Sequence, residues 1–558
     1  DDKLQDITVC DPAVGSGAFP VGMMTEIVRS RSTLTPYFND AHERTPYFFK
    51  RHAIQNCLYG VDIDPGAVEI AKLRLWLSLV VDEEDVKQVK PLPNLDYKVV
   101  VGDSLLGVEK NLFNNEQFNS LEDLKPKFFN ETDRKLKENF KEQIEALIRE
   151  LTNGREIFDF EIYFSEVFHA NKGFDVVIAN PPYVGEKGHK EMFRELRAGV
   201  LGRFYQKKMD IFYFFFHQAL NIGNQYSHVA FITTNYYPTA TGAKTLRTDF
   251  NHRGVVLRLV NFNELKIFES AQGQHNMITL LAKGRGEKID AKTCITKRIG
   301  FADFKQLENI LGWRDTETDY FTVRQAELYE GTDFQMRLRG SSASEGDPAQ
   351  RLLAKMKVQG ELLGAVCNVN QGLRTGADKV TKKHFKACNL DVRKYSSGEG
   401  IFILRRTEVA QLPLTDYERK RILPLFKNSD VHKYVCESET QYSFIDLSWP
   451  ADRDLDLSRV PNLIHHLSKY RAILENRKEN ANGLDKAIAR GIWWPMSVRR
   501  RLDFSQEKVV APQRCRRNLF GYNDIPWYAS ADVYFITRKD AGFSLKYILA
   551  LLNSKLYF

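Results

Sequence analysis

The sequence predicts an α/β protein built on a doubly wound, mostly parallel sheet, followed by a C-terminal mixed α+β domain. Three observations carry this. The first 110 residues alternate β-branched runs with helical periodicity, strands of the same kind return from residue 174, and the net charge changes sign along the chain.

ITVC (7–10), CLYGVDI (57–63) and KVVVGDS (98–104) read as strands, most closing on Gly or Asp. Between the second and third, AVEIAKLRLWLSLVV (67–81) repeats its apolar residues at helical spacing, so the order is β-α-β-α-β. A helix crossing over between successive strands makes them parallel. FDVVIA (174–179), HVAFITT (228–234), VVLRLVNF (255–262) and MITLLAK (277–283) continue the pattern, the last expected in an antiparallel edge hairpin. From about 108 to 168 the chain turns charged and helix-prone, as in RKLKENFKEQIEALIRELTNG, and reads as a helical insertion with Gly154 as a C-cap. The strongly aromatic IFYFFFHQALNIG (211–223) reads as a core helix, with Asp210 positioned to cap it or to line a pocket. SSASEGDPAQ (341–350) is the linker by composition, with a helix expected just after it. The expected boundaries are a sheet domain over 1–285, a connecting region over 286–359 and a second domain over 360–558.

The 558 residues are 43% hydrophobic, enough for large buried cores divided among two or three domains. No apolar run approaches the roughly 20 residues a membrane-spanning helix needs. Seven cysteines without CxxC spacing point to a reducing compartment, hence the cytoplasm, and away from a structural zinc site. The paired His465 and His466 lack partners at ligand spacing, no Walker-type phosphate loop or metal-nuclease constellation is found, and no metal is expected. Asp1 stands just before a strand-like segment and YILALLNSKLYF ends in an apolar amphipathic stretch, so flanking segments are expected to be missing. Residues 1–330 carry a net charge of −5 and residues 331–558 carry +13, as suits a catalytic domain followed by a module that meets a polyanion.

DPAVGSGAF (11–19) places an acid at a strand's carboxyl end, then Gly15 and Gly17 in a tight turn before a helix. Such a loop lets backbone approach a ligand closely and aims free N–H groups at it. Asp62 in GVDID and Asp103 in VVVGDSL stand at the next two strand ends, where acids can hold a ribose diol and an adenine amino group; Asp64 before Pro65 reads as a helix start. The sharpest signal is FDVVIANPPYV (174–184), a buried strand running into Asn-Pro-Pro-Tyr. Two prolines end the strand's ladder and stiffen the turn. The Asn180 side-chain oxygen and the Pro181 carbonyl then form an acceptor pair for an exocyclic amino group, whose lone pair is otherwise delocalised into its ring. Tyr183 is placed to stack on an extruded base.

DPAVGSGAF, GVDID, GDSL and NPPY, in this order and each after a strand, resemble the S-adenosylmethionine-dependent amino-methyltransferases of DNA with gamma-type motif order. The resemblance extends to the large adenine methylases of type IIG restriction-modification enzymes and of BREX-type phage-defence systems. It implies a Rossmann-like class I methyltransferase domain followed by a target-recognition domain, and adenine as target, since Asn opens the NPPY set. Carried over residue by residue, it implies that Asp11, flanked by Pro12 and Ala13, holds the methionine amino group above the Gly15 and Gly17 turn. Asp62 and Ile63 would flank the ribose, and Asp103, Ser104 and Leu105 the cofactor adenine. Asn180, Pro181, Pro182 and Tyr183 would hold the target base, Asn180 also bordering the cofactor, with Phe268 as the apolar ring on the base's far side. The family carries a further cofactor motif upstream of DPAVGSG, and only ten residues precede it here.

The basic half, opening at NVNQGLRTGADKV, resembles target-recognition domains in organisation. Arg374, Lys382, Lys383, Arg499, Arg500, Arg501, Arg514, Arg516 and Arg517 are its candidate DNA contacts, arginine being able to grip phosphates or read guanine edges. The expected function is sequence-specific N6-methylation of a flipped adenine in double-stranded DNA by direct in-line transfer, within a restriction-modification or phage-defence system. Nuclease or other defence modules are possible partners in the same polypeptide or complex; a membrane is not. Two alternatives stay open: an amino-methyltransferase acting on RNA, and a catalytically silent methylase fold that serves as a DNA-recognition scaffold.

Overall fold

The computed structural model describes residues 1–558 apart from 39–43, 82–93, 108–114, 153, 155–156, 270–274, 285, 287–288, 341–351, 353–354, 357–358, 478–483, 498–502, 516, 540–541 and 556–558. The described chain divides into two compact units, Asp1–Gln350 and Arg351–Phe558.

The first unit is built on nine strands: β1 (Val9–Asp11), β2 (Leu58–Asp62), β3 (Val99–Val101), β4 (Phe174–Ala179), β5 (Gly223–Thr234), β6 (Gly254–Asn261), β7 (Asn276–Lys283), β8 (Ala291–Thr296) and β9 (Thr318–Val323). Their order across the sheet is β9-β8-β6-β7-β5-β4-β1-β2-β3. β1 pairs in parallel with both β2 and β4, so the winding reverses at β1. In a doubly wound sheet the crevice at that reversal, outside the carboxyl ends of the strands, is where ligands bind.

Helix α1 (Ala18–Leu34) follows β1 and α2 (Pro65–Val80) follows β2, with the Asp64 carboxylate accepting from Gly66 N at 2.8 Å as the N-cap. The charged insertion forms α3 (Asn115–Asn130) and α4 (Arg134–Leu151), closed by Gly154 at φ +74°, whose N–H donates to the Arg149 carbonyl at 2.8 Å. Helix α5 (Ile211–Ile222) lies in the core, every residue from Ile211 to His217 buried. Asp210 occupies its N-cap position, but its side chain makes no cap hydrogen bond.

Two expectations are corrected. MITLLAK is no edge hairpin: β7 lies inside the sheet, antiparallel to both β5 and β6. The stretch 286–359 is more than a connector, because β8 pairs with β6 and β9 with β8, extending the sheet by two strands. The linker 341–350 lies outside the described residues, as do residues 351, 353–354 and 357–358 of the helix expected after it.

The second unit holds a five-stranded and a four-stranded sheet, the mixed architecture expected of it. Its larger core gathers Phe444, Leu463, Leu467, Trp493 and Trp494; a second core stacks Trp527 on Phe426 at 4.6 Å. Trp493 and Trp494 are therefore packing residues and not exposed stacking platforms.

Candidate active site

The carboxyl ends of β1, β2, β3 and β4 carry Asp11, Asp62, Asp103 and Asn180, so the topology brings the predicted motifs to one edge of the sheet. Asp11 is 1% exposed. Its Oδ1 accepts from Ala13 N at 3.0 Å, while Oδ2 is buried with no hydrogen-bond partner among the described residues. Burial, with the Asp62 charge adding to it, pushes the Asp11 carboxyl up to about 8.

The loop beyond Asp11 is fixed by its neighbours. Gly15 (φ +50°) donates to Asp62 Oδ2 at 2.8 Å, and Asp64 N to Asp62 Oδ1 at 3.0 Å, so Asp62 is anchored by both oxygens. Val14 N donates to the Val61 carbonyl at 2.9 Å. Gly17, at φ +82°, caps α1, and a Cβ there would stand 2.9 Å from Ala71 on α2. Only glycine meets both demands. Asp103 accepts from Leu105 N at 2.8 Å, and the buried Ser104 hydroxyl donates to the Pro12 carbonyl at 2.6 Å, tying the third strand end to the first. Pro12 and Leu105 are buried, Ala13 is half-buried, and Ile63 is 70% exposed.

At the end of β4, Asn180 and Pro182 are exposed, Pro181 is buried and Tyr183 is half-buried against the edge of Phe212. The Tyr183 hydroxyl donates to Asn180 Oδ1 at 2.6 Å and approaches the Ile232 carbonyl at 3.1 Å. One lone pair of the Asn180 oxygen thus already serves Tyr183, and the second is left for a ligand. Burial raises the Tyr183 hydroxyl to about 12, partly offset by Asn276. Asn276, 1% exposed at the start of β7, is a neighbour without any local signal in the sequence, because β7 reaches the site only through sheet pairing. Val184 O accepts from Ile211 N at 2.9 Å, which joins the loop to α5 beside Asp210, a carboxyl raised by burial. Phe268 is half-buried two residues beyond the strand Leu265–Lys266, and among the described residues no ring contact joins it to Tyr183.

In the second unit, Arg374, Lys382, Lys383, Arg514 and Arg517 are all exposed. Arg374 lines a hollow of about 540 Å³ with Lys379 and Gln513, and Arg514 and Arg517 follow the strand Lys508–Pro512. Arg499, Arg500, Arg501 and Arg516 lie outside the described residues. His466 hydrogen-bonds the Ile401 carbonyl at 3.0 Å, and no cluster able to hold a metal occurs among the described residues. No helix there is long and apolar enough to cross a membrane.

A doubly wound sheet with a glycine loop and an Asn-Pro-Pro-Tyr turn flanking its point of reversal defines a methylase-type chain. Residues 56–268 match the family described as Eco57I restriction-modification methylase, and residues 423–558 match the TaqI-like C-terminal specificity domain. The chain thus joins an Eco57I-type restriction-modification methylase domain to a TaqI-like specificity domain. It is 44% identical over 116 residues to RM.MjaORFECS2P of Methanocaldococcus jannaschii, covering 20% of this chain and 10% of that protein. It is 19% identical over 394 residues to the type II restriction enzyme and methyltransferase RM.Eco57I of Escherichia coli, covering 68% of this chain and 33% of that one. With the type II methyltransferase M.HindII of Haemophilus influenzae it shares 22% over 408 residues, 69% of each. The chain thus spans a third or less of the first two relatives. Its fold is similar to that of the type IIL restriction-modification enzyme MmeI, solved in complex with DNA, with a TM-score of 0.52 at 12% identity, covering 99% of this chain and 59% of that one.

Proposed function

We propose that the chain is the modification part of a restriction-modification or phage-defence system, a cytoplasmic DNA methyltransferase that transfers a methyl group to N6 of a flipped adenine at a specific sequence. The observation that carries this reading is the joint placement of Asp11 and Asn180 on either side of the sheet's reversal, with Tyr183 beside Asn180.

The residues fit S-adenosylmethionine. Asp11 Oδ2 is a buried oxygen without a partner among the described residues, which is costly unless a cation or donor meets it, and the amino group of a methionine moiety is such a cation. Asp62 ends β2, and Asp103 and Leu105 follow β3, where a ribose and an adenine would be held. When bound, S-adenosylmethionine supplies an electrophilic methyl group on its sulfonium.

The chain's own residues act on the base. The free lone pair of Asn180 Oδ1 and the Pro181 carbonyl accept the two amino hydrogens, which favours a pyramidal nitrogen with its lone pair directed at the methyl donor. Tyr183 holds the ring by stacking, its hydroxyl fixing the Asn180 carboxamide. Pro181 and Pro182 stiffen the turn, so the acceptors are set before the base arrives. Phe268 is the proposed far-side ring. The second unit supplies sequence choice, with Arg374, Lys382, Lys383, Arg514 and Arg517, together with Arg499, Arg500, Arg501 and Arg516, as contacts to phosphates and base edges. A nuclease module in the same polypeptide or complex fits the restriction enzymes among the relatives.

The test is transfer of labelled methyl from S-adenosylmethionine to unmodified genomic DNA, tRNA and protein, followed by nucleoside digestion. Label recovered as N6-methyladenine from DNA is the expected result; label in tRNA alone, or no transfer despite cofactor and DNA binding, would overturn the reading.

A further inference from the structure

The amino ends of the strands, opposite the candidate active site, hold a second site. A cavity of about 710 Å³ lies between the sheet edge at Thr8, Tyr59 and Lys98 and the insertion helices, a volume typical of small-molecule pockets. Lys98 precedes β3, Lys125 lies on α3, and Glu166 lies on the helix Ser165–Asn171.

Two lysines of the lining share one carboxylate. Lys98 Nζ stands 3.4 Å from Glu166 Oε1 and Lys125 Nζ 3.0 Å from Glu166 Oε2, with the two lysine side chains only 15% and 8% exposed. One carboxylate therefore serves two ammonium groups; Lys98 also donates to the Tyr59 hydroxyl at 2.7 Å, and Lys125 to the Tyr163 carbonyl at 2.5 Å. Of the other acids in the lining, Glu122 pairs with His169, and Asp6 is exposed. His52 adds a buried Nδ1 without a partner among the described residues. Burial and the neighbouring Lys125 both hold the Lys98 ammonium below the usual lysine range, so an anion delivered to this pair would relieve a standing cost. The remaining walls are aromatic and amide in character: Tyr97, Phe128, Phe129, Gln55 and Asn56. A flat ring with polar edges suits such walls.

We propose that this cavity binds a small phosphorylated ring compound of the mononucleotide class, its phosphate on Lys98 and Lys125 and its ring against the half-buried Tyr97. The site is separate from the methyl-transfer site, since Tyr59 and Asp62 stand at opposite ends of β2.

The test is titration calorimetry of the full-length protein with uridine 5′-monophosphate, uridine and inorganic phosphate. Saturable binding of the monophosphate is expected, with uridine and phosphate each at least tenfold weaker. Lys125→Gln should weaken the monophosphate at least tenfold. Ala170→Trp, which fills the cavity from an exposed lining position without touching the lysines, should do the same. Asp62→Ala, at the cofactor loop, should leave it unchanged. No saturable binding, binding lost in Asp62→Ala but retained in Ala170→Trp, or a full-length structure in which the protein's own chain fills the cavity would each overturn the proposal.

Discussion

Asp11 shows how a single side chain couples stability to ligand binding. The folded protein holds its proton up to about pH 8, whereas an unperturbed aspartate releases it near 3.8. Between those values the unfolded chain binds fewer protons than the folded one, so this residue lowers stability as pH rises through the window. Asp11→Asn removes that penalty: the thermal midpoint at pH 7.5 should rise, while cofactor affinity falls at least tenfold, as calorimetry would show. Because an ammonium is held best by the charged form, the wild-type protein should bind S-adenosylmethionine progressively more weakly as pH falls from about 8 to 6, by at most about tenfold per unit. A flat affinity profile would mean Asp11 does not meet the amino group. Asp11 and Asn180 were legible in the sequence because each terminates an apolar run with a polar residue next to Gly or Pro. The hydrogen bond from Tyr183 to Asn180 was not, since the hydroxyl's direction also depends on the Ile232 carbonyl, 49 residues further along the chain.

At the scale of elements, the glycine loop, α1 and α2 form one unit. Gly17→Ala would force a left-handed residue to carry a Cβ into Ala71, which should cost about 1–3 kcal/mol in urea unfolding and weaken cofactor binding with it. Ser104→Ala leaves the Pro12 carbonyl short of a buried donor and should cost about 1–3 kcal/mol. Strands β1 to β6 could be read because they are dense in β-branched residues. Strands β8 and β9 escaped because AKTCIT and TDYFTV are rich in polar residues, as suits strands at or next to the edge of a sheet. The position of β7 is not legible for a related reason: MITLLAK carries no local sign of the two antiparallel partners that long-range pairing supplies.

Over the whole molecule, charge divides as the two units do, a mildly acidic front carrying the methylase-type site and a basic back carrying the specificity domain. If the exposed arginines beyond the strand Lys508–Pro512 grip phosphates, Arg514→Glu with Arg517→Glu should weaken binding to all DNA sequences alike and reduce the logarithmic salt slope by about 2. A change of preferred sequence with an unaltered slope would show that they read bases. The central claim is that Asn180 activates the target amino group. It is tested most directly by single-turnover methyl transfer to DNA in Asn180→Ala, measured beside cofactor affinity. The account predicts transfer slowed by about 10²–10³-fold or more with S-adenosylmethionine binding little changed; transfer at the wild-type rate would contradict it.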